Sequence, residues 1–193
     1  MIKQVLFTAM LLVSSISFAQ LKVGDVAPDF KLLNTNMQMV SLSDYSEYEG
    51  VVVIFTCNHC PYAKYYEDRM KALNEKYEQK GFPVIAINPN DSVAYKTDGF
   101  SYMVEKAYDF PYLLDNKGVY KKYGATKTPH VFLLKQENNG FKVAYIGAID
   151  DSPQDETQVE EKYLEIAINA VKQGKKPKYS STKAIGCSIK PFK

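Results

Sequence analysis

Val51-Val52-Val53-Ile54-Phe55-Thr56-Cys57-Asn58-His59-Cys60-Pro61 decides how the rest of the chain is read. Val51 to Phe55 has no polar interruption, which fits a strand buried on both faces. Two cysteines then stand two residues apart. Pro61 suits the first turn of a helix, where its missing N–H costs nothing. Tyr66, Met70, Leu73 and Tyr77 follow at spacings of 4, 3 and 4, one helical face. A strand ending in C-x-x-C at a helix N-terminus is the arrangement of a redox-active dithiol. The free N–H groups and partial positive charge there favour the thiolate, the form that attacks disulfides. On this reading Cys57 is the more exposed sulfur and the nucleophile, and Cys60 is the resolving thiol. His59, between them, tunes the thiolate, because a cationic or hydrogen-bonding imidazole stabilises it.

The same spacing serves zinc sites and structural bridges. Structural zinc needs a second ligand pair, and the chain has no second C-x-x-C and no H-x-x-x-H. A bridge across two residues closes a very small loop and removes little chain entropy. No metal and no cofactor is therefore expected at this dithiol.

Residues 1–19 read as a signal peptide: a basic Met1-Ile2-Lys3, an apolar run from Val5 to Ile16, and Ser17-Phe18-Ala19 as a cleavage site. The apolar run is too short to span a bilayer, so no membrane span is expected after cleavage. Export, to a bacterial periplasm, means an oxidising compartment in which the pair rests as a disulfide. The 24 Lys and Arg against 22 Asp and Glu give a net charge of +2 and no pointer to nucleic acid.

Gly24-Asp25, Ala27-Pro28-Asp29 and Asn34-Thr35-Asn36 flank short apolar pieces, an N-terminal β-hairpin. Val84-Ile85-Ala86-Ile87 is a second buried strand, after which Asn88-Pro89-Asn90-Asp91 breaks the chain. A helix over 99–107, a short strand at Tyr112-Leu113-Leu114 and a helical turn over 119–123 follow. Val131–Leu134 and Val143–Ile146 form an antiparallel hairpin. Ser152-Pro153-Gln154-Asp155 opens a helix whose apolar face is Val159, Tyr163, Ile166 and Ala170. The order predicts one α/β domain over 20–174, a mixed sheet with helices on both faces, and a basic tail over 175–193. Cys187 in that tail is open to three readings: a third redox thiol, a bridge to another chain, or a buried thiol. Thr128-Pro129, standing before a strand, reads on its own as an ordinary trans turn.

Gly24-Asp25-Val26-Ala27-Pro28-Asp29-Phe30, the strand running into Cys57-Asn58-His59-Cys60-Pro61, and Thr128-Pro129 together resemble the thioredoxin fold, in its redoxin (AhpC/TSA-type) group. The likeness covers roughly 21–171. It implies that Pro129 is a cis proline packed against the cysteines, that Thr128 and Pro129 bind the substrate's backbone, and that His130 lies beside the dithiol. His59 holds the position of His in the C-P-H-C site of bacterial disulfide-forming enzymes, with Asn58 in place of Pro. The Trp usual before a thioredoxin C-x-x-C is absent, and Thr56 takes its place. The strand before the site carries no buried acid, so proton handling is unassigned; Glu67 and Asp68 read as a solvated helix face.

Together with the signal peptide, the resemblance implies an exported thiol–disulfide oxidoreductase acting on protein disulfide or dithiol substrates, with a separate redox partner. Two alternatives stand beside it. One is a peroxiredoxin-like thiol peroxidase, although no P-x-x-x-[ST]-x-x-C frame fits either cysteine and Arg69 is the only arginine. The other is a copper carrier using Cys57, Cys60 and the two histidines.

Overall fold

The computed structural model describes residues 20–192, so the expected signal peptide lies outside the described residues. A hairpin of β1 (Lys31–Asn34) and β2 (Met39–Ser41) leads to β3 (Gly50–Phe55), then α1 (Pro61–Tyr65), α2 (Glu67–Tyr77) and β4 (Val84–Asn88). α3 (Phe100–Glu105), β5 (Tyr112–Leu114), α4 (Val119–Tyr123) and β6 (Lys127–Thr128) follow. β7 (His130–Glu137), β8 (Gly140–Gly147), α5 (Tyr163–Lys172) and β9 (Cys187–Ser188) complete the chain.

Seven strands form one mixed sheet in the order β2-β1-β5-β4-β3-β7-β8. β3 lies in its interior, parallel to β4 and antiparallel to β7, with Phe55 opposite Ile87 and His130. All six residues of β3 are buried, as a continuous apolar run requires of a strand covered on both faces. Its side chains alternate. Val52 and Ile54 join Met70, Leu73 and Tyr77 of α2 and Leu164, Ala167 and Ile168 of α5. Val51, Val53 and Phe55 join the N-terminal hairpin through Leu32 and α4 through Val119 and Tyr123. Helices therefore cover both faces, as expected.

Two expectations are corrected. The helix after the cysteines is not continuous: Tyr66, at φ −94° and ψ −4°, separates α1 from α2. Its hydroxyl donates to Asp150 Oδ1 at 2.7 Å, and Arg69 binds Asp150 Oδ2 at 2.6 Å, so the break is tied to the loop before α5. The last helix starts at Tyr163 and not near Ser152. Arg69 also donates to the carbonyls of Ser152 and Pro153, at 2.9 and 2.8 Å, which fixes that segment as a loop. The face that α5 buries is accordingly Leu164, Ala167, Ile168 and Val171.

The tail is part of the domain. Thr182 N donates to Ile146 O at 2.9 Å, and Ala148 N donates to Thr182 Oγ1 at 3.0 Å, so residues 180–182 line the outer edge of β8. The chain then returns across the sheet's end, where β9 pairs with β6.

Phe132 is fully buried and packs edge-on against Phe55 and Tyr123. Phe132→Ala should lower the unfolding free energy by about 3–5 kcal/mol, the usual cost of deleting a buried aromatic ring. Urea denaturation of the two proteins checks this; a loss below about 1 kcal/mol would mean that the ring is not a core residue.

Candidate redox site

The topology brings three loops to one end of the sheet. β3 and β4 are parallel, so the loops that follow both emerge there; β7 is antiparallel, so the loop preceding it arrives there too. These loops carry Cys57–Cys60, Asn88–Asp98 and Thr128–Pro129.

The Thr128–Pro129 peptide is cis, as the resemblance implies and contrary to the residue-level expectation of trans. Thr128 is fully buried against the cysteines. Its Oγ1 lies 3.2 Å from Cys57 Sγ in hydrogen-bond contact, and its carbonyl oxygen lies 3.3 Å from Cys60 Sγ. Cys60 is the cap residue before Pro61, in extended conformation at φ −63° and ψ 126°.

The sulfur pairing differs from the expected one. Cys60 is joined to Cys187, with Cα atoms 6.0 Å apart, and Cys57 is the free cysteine. Nor is Cys57 exposed: it retains 3% of its surface, in a cluster with Cys60 and Ala63 that Tyr62 and Cys187 pack against. Burial pushes the Cys57 thiol up, and the negative charge of Asp98 adds to this. The hydrogen bond with Thr128 and the backbone N–H groups of Cys60 and His59 oppose it and do not prevail. The expected bias toward thiolate is thus overturned. The physical reason is that α1 has only five residues, too few peptide dipoles to offset the desolvation of a buried sulfur.

Asp98 is the residue at this site that sequence reasoning missed. It is fully buried. Its Oδ1 accepts from the backbone N–H groups of Asn58 at 2.8 Å and His59 at 3.2 Å. Its Oδ2 meets His59 Nδ1 at 2.5 Å and accepts from Asn90 Nδ2 at 2.8 Å. A carboxylate so held locks the loop between the two cysteines from beneath. His59 also stacks flat on Tyr95, with centroids 6.1 Å apart. One ligand atom each of Cys57, His59 and Asp98 lie within 4.8 Å of one another, so the thiol has an imidazole and a carboxylate as neighbours. The signal in the sequence was the polar run Asn88–Asp91 directly after a fully buried strand. In an α/β sheet, such a run falls beside any other loop leaving a parallel strand at the same end.

His130 does not join this group. It shares the face of Phe132, with ring centroids 4.9 Å apart, and its Nδ1 accepts from Thr126 N at 3.3 Å. Burial lowers its pKa to about 4. Asp68 is almost wholly exposed, in keeping with a solvated face, but Glu67 is half-buried in an ion pair with Lys106 and departs from that expectation. Arg69 is engaged by Asp150 and the 152–153 carbonyls, away from the sulfurs.

The fold and this arrangement of sulfurs around a cis proline define a thioredoxin-like redox protein. The AhpC/TSA family matches residues 23–158, and the chain belongs to that family. An uncharacterized conserved protein of Geobacillus kaustophilus is 33% identical, with a TM-score of 0.81 over 96% of this chain and 98% of that one. A hypothetical protein of Sinorhizobium meliloti is 29% identical, with a TM-score of 0.82 over 90% and 97%. A putative thiol:disulfide interchange protein DsbE of Chlorobium tepidum is 28% identical, with a TM-score of 0.62 over 79% and 99%. No curated protein matches the chain.

Two outcomes follow. Asp98→Asn removes the negative charge beside Cys57, so the thiol pKa should fall, as read by the ultraviolet absorbance of the thiolate against pH in a Cys60→Ser, Cys187→Ser background. A rise would contradict the electrostatic account. His130 is neutral when folded and titrates more readily when unfolded. Its contribution is therefore complete above its unfolded pKa of about 6.5 and is lost as pH falls toward 4, by about 3 kcal/mol at the limit. Replacing it with Asn should flatten the stability profile between these pH values; an unchanged slope would show that other groups set it.

Proposed function

We propose that this protein is an exported thiol–disulfide oxidoreductase that exchanges disulfides with protein substrates. The observation that carries this reading is the convergence of Cys57 and Cys60 on Thr128 at the cis-proline loop. Cys57 is the nucleophile. Its thiolate attacks a client disulfide, one client sulfur leaves, and Cys60 then attacks the mixed disulfide at Cys57. Asp98 supplies the buried acid that the strand before the site lacks, and the His59–Asp98 pair is the group placed to take the thiol's proton. His59 couples that carboxylate to the dithiol and so tunes it. Thr128 and Pro129 present the client's backbone. The interchange protein of Chlorobium tepidum, a relative by fold and 28% identity, is in keeping with this chemistry.

Cys57→Ser should abolish disulfide reduction in an insulin turbidity assay, and Cys60→Ser should accumulate a mixed disulfide with the client. Full activity in both variants would overturn the assignment. Export is checked by cell fractionation and by the N-terminus of the recovered protein, expected at Gln20.

A thiol peroxidase is the second reading, favoured by membership of the AhpC/TSA family. It asks for a cation to hold the peroxide, and Arg69 is committed to Asp150. Stopped-flow mixing of the reduced protein with hydrogen peroxide separates the two; disulfide exchange predicts a rate no faster than that of free cysteine.

A further inference from the structure

The residues that approach the redox site most closely from outside its own loops belong to the C-terminal segment. β9 runs antiparallel to β6, with Cys187 opposite Thr128 and Ser188 opposite Lys127. Hydrogen bonds extend the seam: Ile189 N donates to Thr126 O at 3.2 Å, Lys190 N to Asn90 Oδ1 at 2.8 Å, and Asp91 N to Lys190 O at 2.7 Å. Asn90 is itself a donor to Asp98, so the segment is hydrogen-bonded into the network beneath His59. Gly186 passes so near the cis-proline loop that a Cβ there would lie 2.2 Å from Thr128 O and 3.1 Å from Pro129 N. Only glycine allows that approach.

A peptide that adds to a strand edge is held by backbone hydrogen bonds that any sequence can make, and its side chains select the register. Here that register delivers a cysteine to the buried sulfurs. Cys187 is bonded to Cys60 and packs against the buried cluster of Cys57, Cys60 and Ala63, so this segment shares the edge that carries both sulfurs.

We propose that the C-terminal strand is an internal substrate and Cys187 a third redox thiol. The strand occupies the Thr128 edge that client peptides use, and it draws the disulfide from Cys57–Cys60 to Cys60–Cys187. This rests on the disulfide-exchange reading above. In the step, the Cys187 thiolate attacks Cys60 Sγ of the Cys57–Cys60 disulfide. The Cys60–Cys187 bond forms, the Cys57–Cys60 bond breaks, and Cys57 leaves as a thiolate that takes up the proton Cys187 gave away. The protein holds one disulfide before and after, so no outside oxidant or reductant is consumed. The resting oxidised form then has Cys57 free and covered, and a protein dithiol reopens the site by reducing Cys60–Cys187.

The test is disulfide mapping of the folded chain, residues 20–193. The protein is oxidised with glutathione disulfide, its free thiols are alkylated in acid, and unreduced digests are read by mass spectrometry. Wild type and Cys57→Ser should both yield the Cys60–Cys187 peptide, and Cys187→Ser should yield Cys57–Cys60. If oxidised wild type yields Cys57–Cys60 with Cys187 alkylated, the relay is wrong. Gly186→Val, which lifts the strand, should lose the Cys60–Cys187 peptide and lower KM for a cysteine-containing client peptide severalfold. An unchanged KM in both Gly186→Val and Cys187→Ser would show that clients do not share this edge. Failure of the parent reading looks different: Cys57→Ser would still reduce insulin, whatever the disulfide map.

Discussion

Strand β3 is hydrogen-bonded on both sides and covered on both faces, and this double confinement is the constraint from which the site follows. A strand so enclosed has one register and one exit, because a slip of one residue would exchange its two faces. Val52 and Ile54 must meet α2 and α5, and Val51, Val53 and Phe55 must meet the hairpin and α4. Cys57 then emerges at a fixed point. The parallel neighbour β4 ends at the same edge and the antiparallel neighbour β7 begins there, so strand direction brings Thr128 to the sulfurs, and the loop after β4 adds Asp98 through its hydrogen bonds to Asn58 and His59.

At that edge, burial outweighs the helix terminus. A long helix would offer its aligned dipoles to Cys57, but α1 ends after five residues where Tyr66 bonds to Asp150. The sulfur belongs to a buried cluster against which Tyr62 and Cys187 pack, and it neighbours the buried Asp98. Both factors push the thiol pKa up. The covered state is therefore a quiet one, and whatever uncovers Cys57 also restores water to it and lowers the cost of ionisation. Access and reactivity are coupled through the same few side chains.

Much of this was legible in the residues. The apolar runs gave β3, β4, β7 and β8, turn residues gave the N-terminal hairpin, and the C-x-x-C marked the site. The illegible parts share one cause: they depend on contacts between segments far apart in the chain. Asp98 sits in an unremarkable turn, Lys96-Thr97-Asp98-Gly99, and gains its meaning only from the N–H groups of Asn58 and His59. The break at Tyr66 and the late start of α5 follow from Asp150. His130 is the exception: it stands next to the cis proline in sequence, but local strand alternation, readable in advance, turns it to the face of Phe132. The tail has no period of its own because its order is borrowed from the edges of β8 and β6.

The energetics of the tail bear on which sulfurs pair. Measured against the unfolded chain, a bridge spanning 127 residues restricts far more conformations than one spanning three, a difference of about 2–4 kcal/mol in the chain-entropy picture. That term stabilises the fold, but it does not choose between the two pairings once the chain is folded, since both loops are then already closed. The choice falls to the docking of β9, a two-residue ladder flanked by two backbone hydrogen bonds and one from the Lys190 N–H to the Asn90 side chain. Each is worth about 0.5–1.5 kcal/mol net, and holding the segment down costs entropy for every residue ordered. The balance is a small difference between comparable quantities. On the proposed disulfide-exchange reading, a client peptide offering the same backbone hydrogen bonds to Thr128 would compete with the tail, and a cysteine in the right register would decide the exchange.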